Sequence, residues 1–216
     1  GLTAQAVGEG SRERCFAILT RSLTWALLIA AILLLLQVPL LNAVLYFAEG
    51  TKEVQALAAT YFRILIWGAP AVLCLSSING WFIGMQNATF PLLIAVVQNL
   101  MNILLSCIFV FGLGWSIKGV ALGTLIAQYI GLLLALSLIL RFRPLPKTKD
   151  LRTALGKSSL LDTTFLRMNR DIFLRTLCLL AVTSYFTFVG TCQGDLILAS
   201  NALLMQFFLL WLFLNN

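Results

Sequence analysis

The sequence predicts an all-α integral membrane protein with six transmembrane helices, and three observations carry that expectation. Of its 216 residues 60% are hydrophobic and only 11% are charged, with a mean hydropathy of +0.96, well outside the range of soluble domains. Runs free of Asp, Glu, Lys and Arg cover Ser22–Ala48, Ile64–Ile117, Gly119–Leu140, Thr176–Gly194 and Leu196–Asn216, and about 20 apolar residues suffice for a helix to cross a bilayer. The second run is long enough for two helices, and Gly84, Gln86, Asn87 and Pro91 divide it where a turn fits. No strand-like alternation competes with these helices.

Residues Gly1–Arg21 form a polar opening segment, and the first span follows over about Leu23–Leu41, with Pro39 near its far end. Glu49, Lys52 and Glu53 mark an aqueous loop. The second span starts near Ile64, just after Arg63, carries Pro70 and ends at Gly84. The third runs over Leu92–Phe111, and a turn at Gly112–Gly114 leads past Lys118 into the fourth, Val120–Leu140. Gly119, Gly123 and Gly131 with Ala121 and Ala127 give that fourth span small faces suited to close helix packing. A long polar connection then gathers Arg141, Arg143, Lys147, Lys149, Arg152 and Lys157 around Pro144 and Pro146. The fifth span takes Thr176–Val189 and the sixth Leu196–Leu214. Trp67, Trp115, Tyr46 and Tyr61 near the span ends read as interfacial anchors.

Lys and Arg are retained on the cytoplasmic side during insertion. Twelve of the 15 basic residues fall on one set of alternate loops, from Arg12, Arg14 and Arg21 and from Arg141 through Arg175, and only Lys52, Arg63 and Lys118 on the other. Both ends of the chain and the basic connection are therefore expected in the cytoplasm. The net charge of +7 is a topology signal and not a nucleic-acid footprint, because the basic residues lie between apolar segments. There is no His and no C-x-x-C among the five cysteines, so metal, haem and thiol chemistry, and enzymatic chemistry generally, find no support. The chain opens on Gly1 and closes within an apolar run, and it reads as part of a longer protein.

Polar side chains inside spans are the main functional clue, since each is costly unless it bonds within the bundle or lines a wet cavity. They are Asn79 in the second span, Gln98, Asn99, Asn102 and Ser106 in the third, and Thr124 and Gln128 in the fourth. Asn99, Asn102 and Ser106 at i, i+3 and i+7 share one helical face, and Thr124 and Gln128 at i, i+4 another. A polar cavity wall and interhelical hydrogen bonding are both open on this spacing.

Four stretches carry a family resemblance: the opening Gly1-Leu2-Thr3-Ala4-Gln5-Ala6-Val7-Gly8, Asn99-x-x-Asn102, Lys118-Gly119-Val120-Ala121-Leu122-Gly123-Thr124, and Asn169-Arg170-Asp171-Ile172-Phe173-Leu174-Arg175. In this order they resemble multidrug and toxic compound extrusion (MATE) transporters, within them the DNA-damage-inducible protein F branch. The resemblance implies a twelve-helix, two-lobe antiporter of the bacterial cytoplasmic (inner) membrane, monomeric when complete. This chain would supply its middle six spans: residues 1–140 the last four helices of the first lobe, 141–170 the basic inter-lobe linker and 171–216 the first two helices of the second lobe. It implies exchange of organic, cationic or amphipathic small molecules against a proton or sodium gradient, with no cofactor. Asn79, Asn99, Asn102 and Thr124 fall on positions lining the first-lobe cavity. Ser106 departs from the branch, which often carries Asp there, and a serine hydroxyl cannot serve as a titrating group at physiological pH. The alternatives are a lipid-linked oligosaccharide flippase of the same superfamily, which would favour Arg or Lys inside the cavity, and an inactive membrane scaffold fragment.

Overall fold

A computed structural model describes residues 2–47 and 52–142, together with Arg170, Leu174, Leu177, Cys178, Ala181 and Val182. The remainder of the basic connection beyond Phe142, the fifth and sixth predicted spans apart from those single positions, and the Tyr46 side chain lie outside the described residues. The chain divides into two compact units, Gly1–Leu160 and Leu161–Asn216, and the architecture below is that of the first. It is entirely helical among the described residues: α1 (Leu2–Gly8), α2 (Arg12–Leu35), α3 (Gln37–Phe47), α4 (Lys52–Leu65), α5 (Ala69–Gly84), α6 (Thr89–Cys107) and α7 (Ser116–Phe142).

Among the described residues, four helical stretches are long and apolar enough to cross a membrane: Arg12–Leu35, Lys52–Gly84, Thr89–Gly112 and Ser116–Arg141. They correspond to the first four expected spans, with two corrections. The polar opening segment is largely helical from Leu2: α1 turns at Gly10, whose φ of +68° favours glycine, and α2 then starts at Arg12, ten residues before the charge-free run that begins at Ser22. Ser11 caps it by accepting from the Arg14 N–H at 3.4 Å, and Arg14 pairs with Glu9 across the corner. Of the expected aqueous loop, Glu49 lies outside the described residues, and Lys52 and Glu53 open a helix. There α4 runs directly into α5, and the combined 33 residues extend about 50 Å, well beyond the roughly 30 Å hydrocarbon layer.

Two prolines set the irregularities. Pro39 has no N–H to give the Leu35 carbonyl four residues earlier, and the first span breaks at Leu36 into α2 and α3. Pro70 has the same relation to Ile66, and Ile66–Gly68 tightens into a 3-10 turn in which the Ala69 N–H bonds back to Ile66. The turn expected after Gly84 is present: Gln86 adopts φ 59°, and Asn87 Oδ1 accepts from the Phe90 N–H at 3.3 Å as α6 begins. At its other end α6 widens into a π segment, Ile108–Gly112, and Gly114 at φ +68° turns the chain into α7.

The buried core sits at one end of the bundle, where α2 and α6 begin and α5 and α7 end. Leu19, Leu75, Ile78, Trp81, Phe82, Ile94, Ala135, Leu138 and Ile139 form it. Phe16, Trp81, Phe82 and Phe90 stack through it in sequence, with ring centroids 5.9, 5.4 and 5.1 Å apart. The Trp81 indole N–H donates to the Cys15 carbonyl at 3.0 Å, and Thr3 packs onto Gly84 so closely that a Cβ there would lie 2.6 Å from the Thr3 Cβ. This is the basic end, near Arg12, Arg14 and Arg141, so α1 closes the side expected to face the cytoplasm. Gly80 and Gly84 do not act as a paired packing motif, because Gly80 faces open space.

Candidate functional site

Gln98, Asn102, Ser106 and Thr124 meet where α6 packs on α7. Three glycines on α7 let the helices approach. A Cβ at Gly119 would meet the Phe109 Cβ at 3.0 Å, one at Gly123 would meet the Ser106 Oγ at 2.8 Å and its backbone N at 2.9 Å, and one at Gly131 would meet the Gln98 Oε1 at 3.0 Å. Ala121 and Ala127 are buried. The small faces expected of the fourth span are thus present, and α6 fills the one carrying the glycines.

Along that seam Asn102 is the hub. Its Oδ1 accepts from Ser106 Oγ at 3.1 Å within α6 and from Thr124 Oγ1 at 3.2 Å across to α7. The Thr124 hydroxyl also lies 2.9 Å from the Val120 carbonyl, so its single proton is shared between the two acceptors. The Asn102 amide nitrogen, with two N–H donors, makes no hydrogen bond among the described residues. All three side chains are half-buried.

Of the four residues expected to line a cavity, then, Asn102 and Thr124 are brought together, and Asn99 and Asn79 are not joined to them. Asn99 is exposed on another face of α6. The stripe meeting α7 is Gln98, Asn102 and Ser106, at i, i+4 and i+8, and not the stripe through Asn99. Both spacings are compatible with a 3.6-residue repeat, and the glycines of α7 select between them. Asn79 lies five residues from the end of α5, beside the apolar core, and its Oδ1 is buried with no donor among the described residues. Sequence reasoning left Ser106 and Gln98 out of the site, although Gly123 and Gly131, which receive them, were visible.

A second polar joint lies between α7 and the 3-10 turn. Tyr129 Oη donates to the Trp67 carbonyl at 2.8 Å, and the Gln128 Oε1, buried with no hydrogen-bond donor among the described residues, fills the space where a Gly68 Cβ would stand. Tyr129 drew no attention in the sequence because a tyrosine in an apolar span reads first as an anchor.

These features sit in a chain whose first half matches a known family. The MatE family matches residues 1–108, half of the chain. The chain belongs to the MatE family. It is 34% identical over 207 residues to the DNA damage-inducible protein F of Escherichia coli (strain K12), covering 95% of this chain and 44% of the relative. It is 28% identical over 152 residues to the probable multidrug resistance protein NorM of Synechocystis, covering 67% of this chain and 32% of that protein. It thus spans less than half the length of these curated relatives. Among solved structures, an inward-facing multidrug resistance MATE family transporter of the MOP superfamily matches with a TM-score of 0.59 at 24% identity, over 72% of this chain and 38% of that one, a likeness of fold. The family is one of membrane transporters and not of enzymes, and this MatE chain is a multi-pass membrane protein.

Proposed function

We propose that the protein to which this chain belongs is an efflux antiporter of the bacterial inner membrane. It exports organic, cationic or amphipathic small molecules against a proton or sodium gradient by alternating access, and it works as a monomer. The four spans described here belong to its first lobe, with the basic segment 141–170 as the inter-lobe linker and 171–216 opening the second lobe. Asn102 and Thr124 of the α6–α7 seam, with Asn99 and Asn79, face its cavity. Family membership and the multidrug-resistance names of relatives support this reading, and the state of Asn102 is the observation that carries it to residues. A side chain serving packing alone would use its amide fully, whereas Asn102 commits its carbonyl to the seam and keeps two N–H donors. Such a group can meet a substrate's acceptors or orient a carboxylate supplied elsewhere in the protein.

The test is drug efflux from everted vesicles of cells making the full-length protein. Asn102→Ala is expected to cut efflux strongly while the amount of folded protein stays near normal, because a hydrogen bond between membrane helices contributes only about 0.6 kcal/mol on average. Efflux at the wild-type rate in Asn102→Ala sinks the cavity reading and leaves the seam as a packing device.

A further inference from the structure

The helical run Lys52–Gly84 consists of two unlike halves. Seven residues of α5 are buried, among them Leu75, Ile78, Trp81 and Phe82 of the core, whereas α4 has no buried residue. Between them lies the 3-10 turn Ile66–Gly68, at a proline that denies the helix one hydrogen-bond donor. A 3-10 stretch inside a longer helix is a frequent site of hinge motion.

The turn is flanked by α2 and α7, and its polar contacts come from α7. Tyr129 Oη holds the Trp67 carbonyl. The Gln128 Oε1 occupies the space a Gly68 side chain would need, which puts it within about 3.5 Å of the glycine Cα, the range of a Cα–H···O contact. That contact is weak, and the glutamine carbonyl has no stronger donor among the described residues. Among the described residues the turn's polar ties to α7 are therefore one good hydrogen bond and one poor contact, beside apolar packing on Leu125; on one side lies a helix that reaches the core, and on the other one that rests on α7 without burying a residue.

We propose that Ile66–Gly68 is a screw joint, about which α4 rotates on its own axis while α5 stays fixed in the core, and that Tyr129 and Gln128 of α7 latch it in the 3-10 form. The size of the motion follows from helix geometry. A 3-10 helix advances 120° and about 2.0 Å per residue, and an α-helix 100° and about 1.5 Å. Interconverting three residues turns α4 by about 60° and shortens the run by about 1.5 Å, which carries a group on the helix surface, about 5 Å from the axis, through about 5 Å. The joint does not depend on the transported substrate, and its test does not read transport.

Nitroxide pairs in the full-length protein in liposomes, with native cysteines replaced by alanine, measure the motion directly. One pair, Leu57→Cys with Leu133→Cys, reports α4 against α7, and a second, Ser76→Cys with Leu133→Cys, reports α5 against α7; all three positions are exposed. Tyr129→Phe removes the latch, and Pro70→Ala supplies the missing N–H that favours the α form. Each is expected to add a population displaced by about 5 Å in the Leu57–Leu133 distances and to leave the Ser76–Leu133 distances in place. Unchanged Leu57–Leu133 distances in both variants overturn the joint. So does an equal displacement of both pairs, which would mean that α7 had simply loosened from the whole run.

Discussion

Replacing Gly123 by alanine is the sharpest probe of the α6–α7 seam. The new Cβ would stand 2.8 Å from the Ser106 Oγ, 2.9 Å from its backbone N and 3.2 Å from its Cα. Two of these atoms belong to the backbone, so no rotamer change relieves the contact. Non-bonded carbon contacts become comfortable at about 3.5 Å, so the helices must part by about 0.6 Å. The bond from Thr124 to Asn102, 3.2 Å long, would then stretch to about 3.8 Å, beyond a useful hydrogen bond. Overpacking of this kind costs about 1–3 kcal/mol, and the lost bond adds about 0.6 kcal/mol. Gly80→Ala is the control, because a Cβ there meets nothing within 4 Å, and glycine to alanine inside a helix stabilises by about 0.5–1 kcal/mol. Reversible unfolding of the full-length protein in mixed micelles, followed by circular dichroism, should therefore rank Gly80→Ala at or above wild type and Gly123→Ala clearly below it. The double variant Gly123→Ala/Ser106→Ala should not recover, since the backbone contacts persist. Equal stability of Gly123→Ala and Gly80→Ala, or full rescue by Ser106→Ala, would refute the close-approach reasoning.

Three further outcomes are expected. A single cysteine placed between Lys147 and Lys157 should react with impermeant reagent only from the cytoplasm and one at Lys52 only from outside, given twelve basic residues against three; labelling of both from one side would remove the span order. Gly84→Ala should lift α1 from the bundle and make a cysteine at the buried Ala6, protected in the wild-type background, accessible to a label. Because the clash is with the Thr3 Cβ at 2.6 Å, Thr3→Gly should restore protection, whereas rescue by Thr3→Ala would show that the contact lies elsewhere. Ser106→Ala should leave vesicle efflux nearly unchanged at every pH, since it removes one donor from Asn102 Oδ1 while Thr124 remains; a large, pH-shifted defect would make this hydroxyl part of ion coupling.

Much of the fold is legible in the sequence. The apolar runs mark the spans because in hydrocarbon every backbone polar group must be bonded within its own helix, and continuous apolar length is then nearly sufficient evidence. Pro39 and Pro70, Asn87 and Gly114 announce the breaks and turns through their own backbone chemistry. The helical state of Leu2–Arg21 and of Lys52–Arg63 was not legible, because both segments are polar enough to read as aqueous connections. The former becomes helical where Thr3 and Cys15 meet α5 at Gly84 and Trp81, contacts between residues 66 or more positions apart.

The candidate site divides in the same way. The sequence by itself determined which polar residues lie within the spans and which spans hold them, along with the order of the spans and the side on which positive charge collects. It could not determine which face of α6 meets α7. In a soluble protein the apolar stripe of a helix marks its buried side, but lipid is as apolar as leucine, so periodicity in a membrane helix does not separate the packed face from the lipid-facing one. Only the tertiary structure, by seating Ser106 on Gly123 and Gln98 on Gly131, placed Asn102 against Thr124 and turned Asn99 away, because backbones approach most closely where the opposing helix has no side chain to keep them apart.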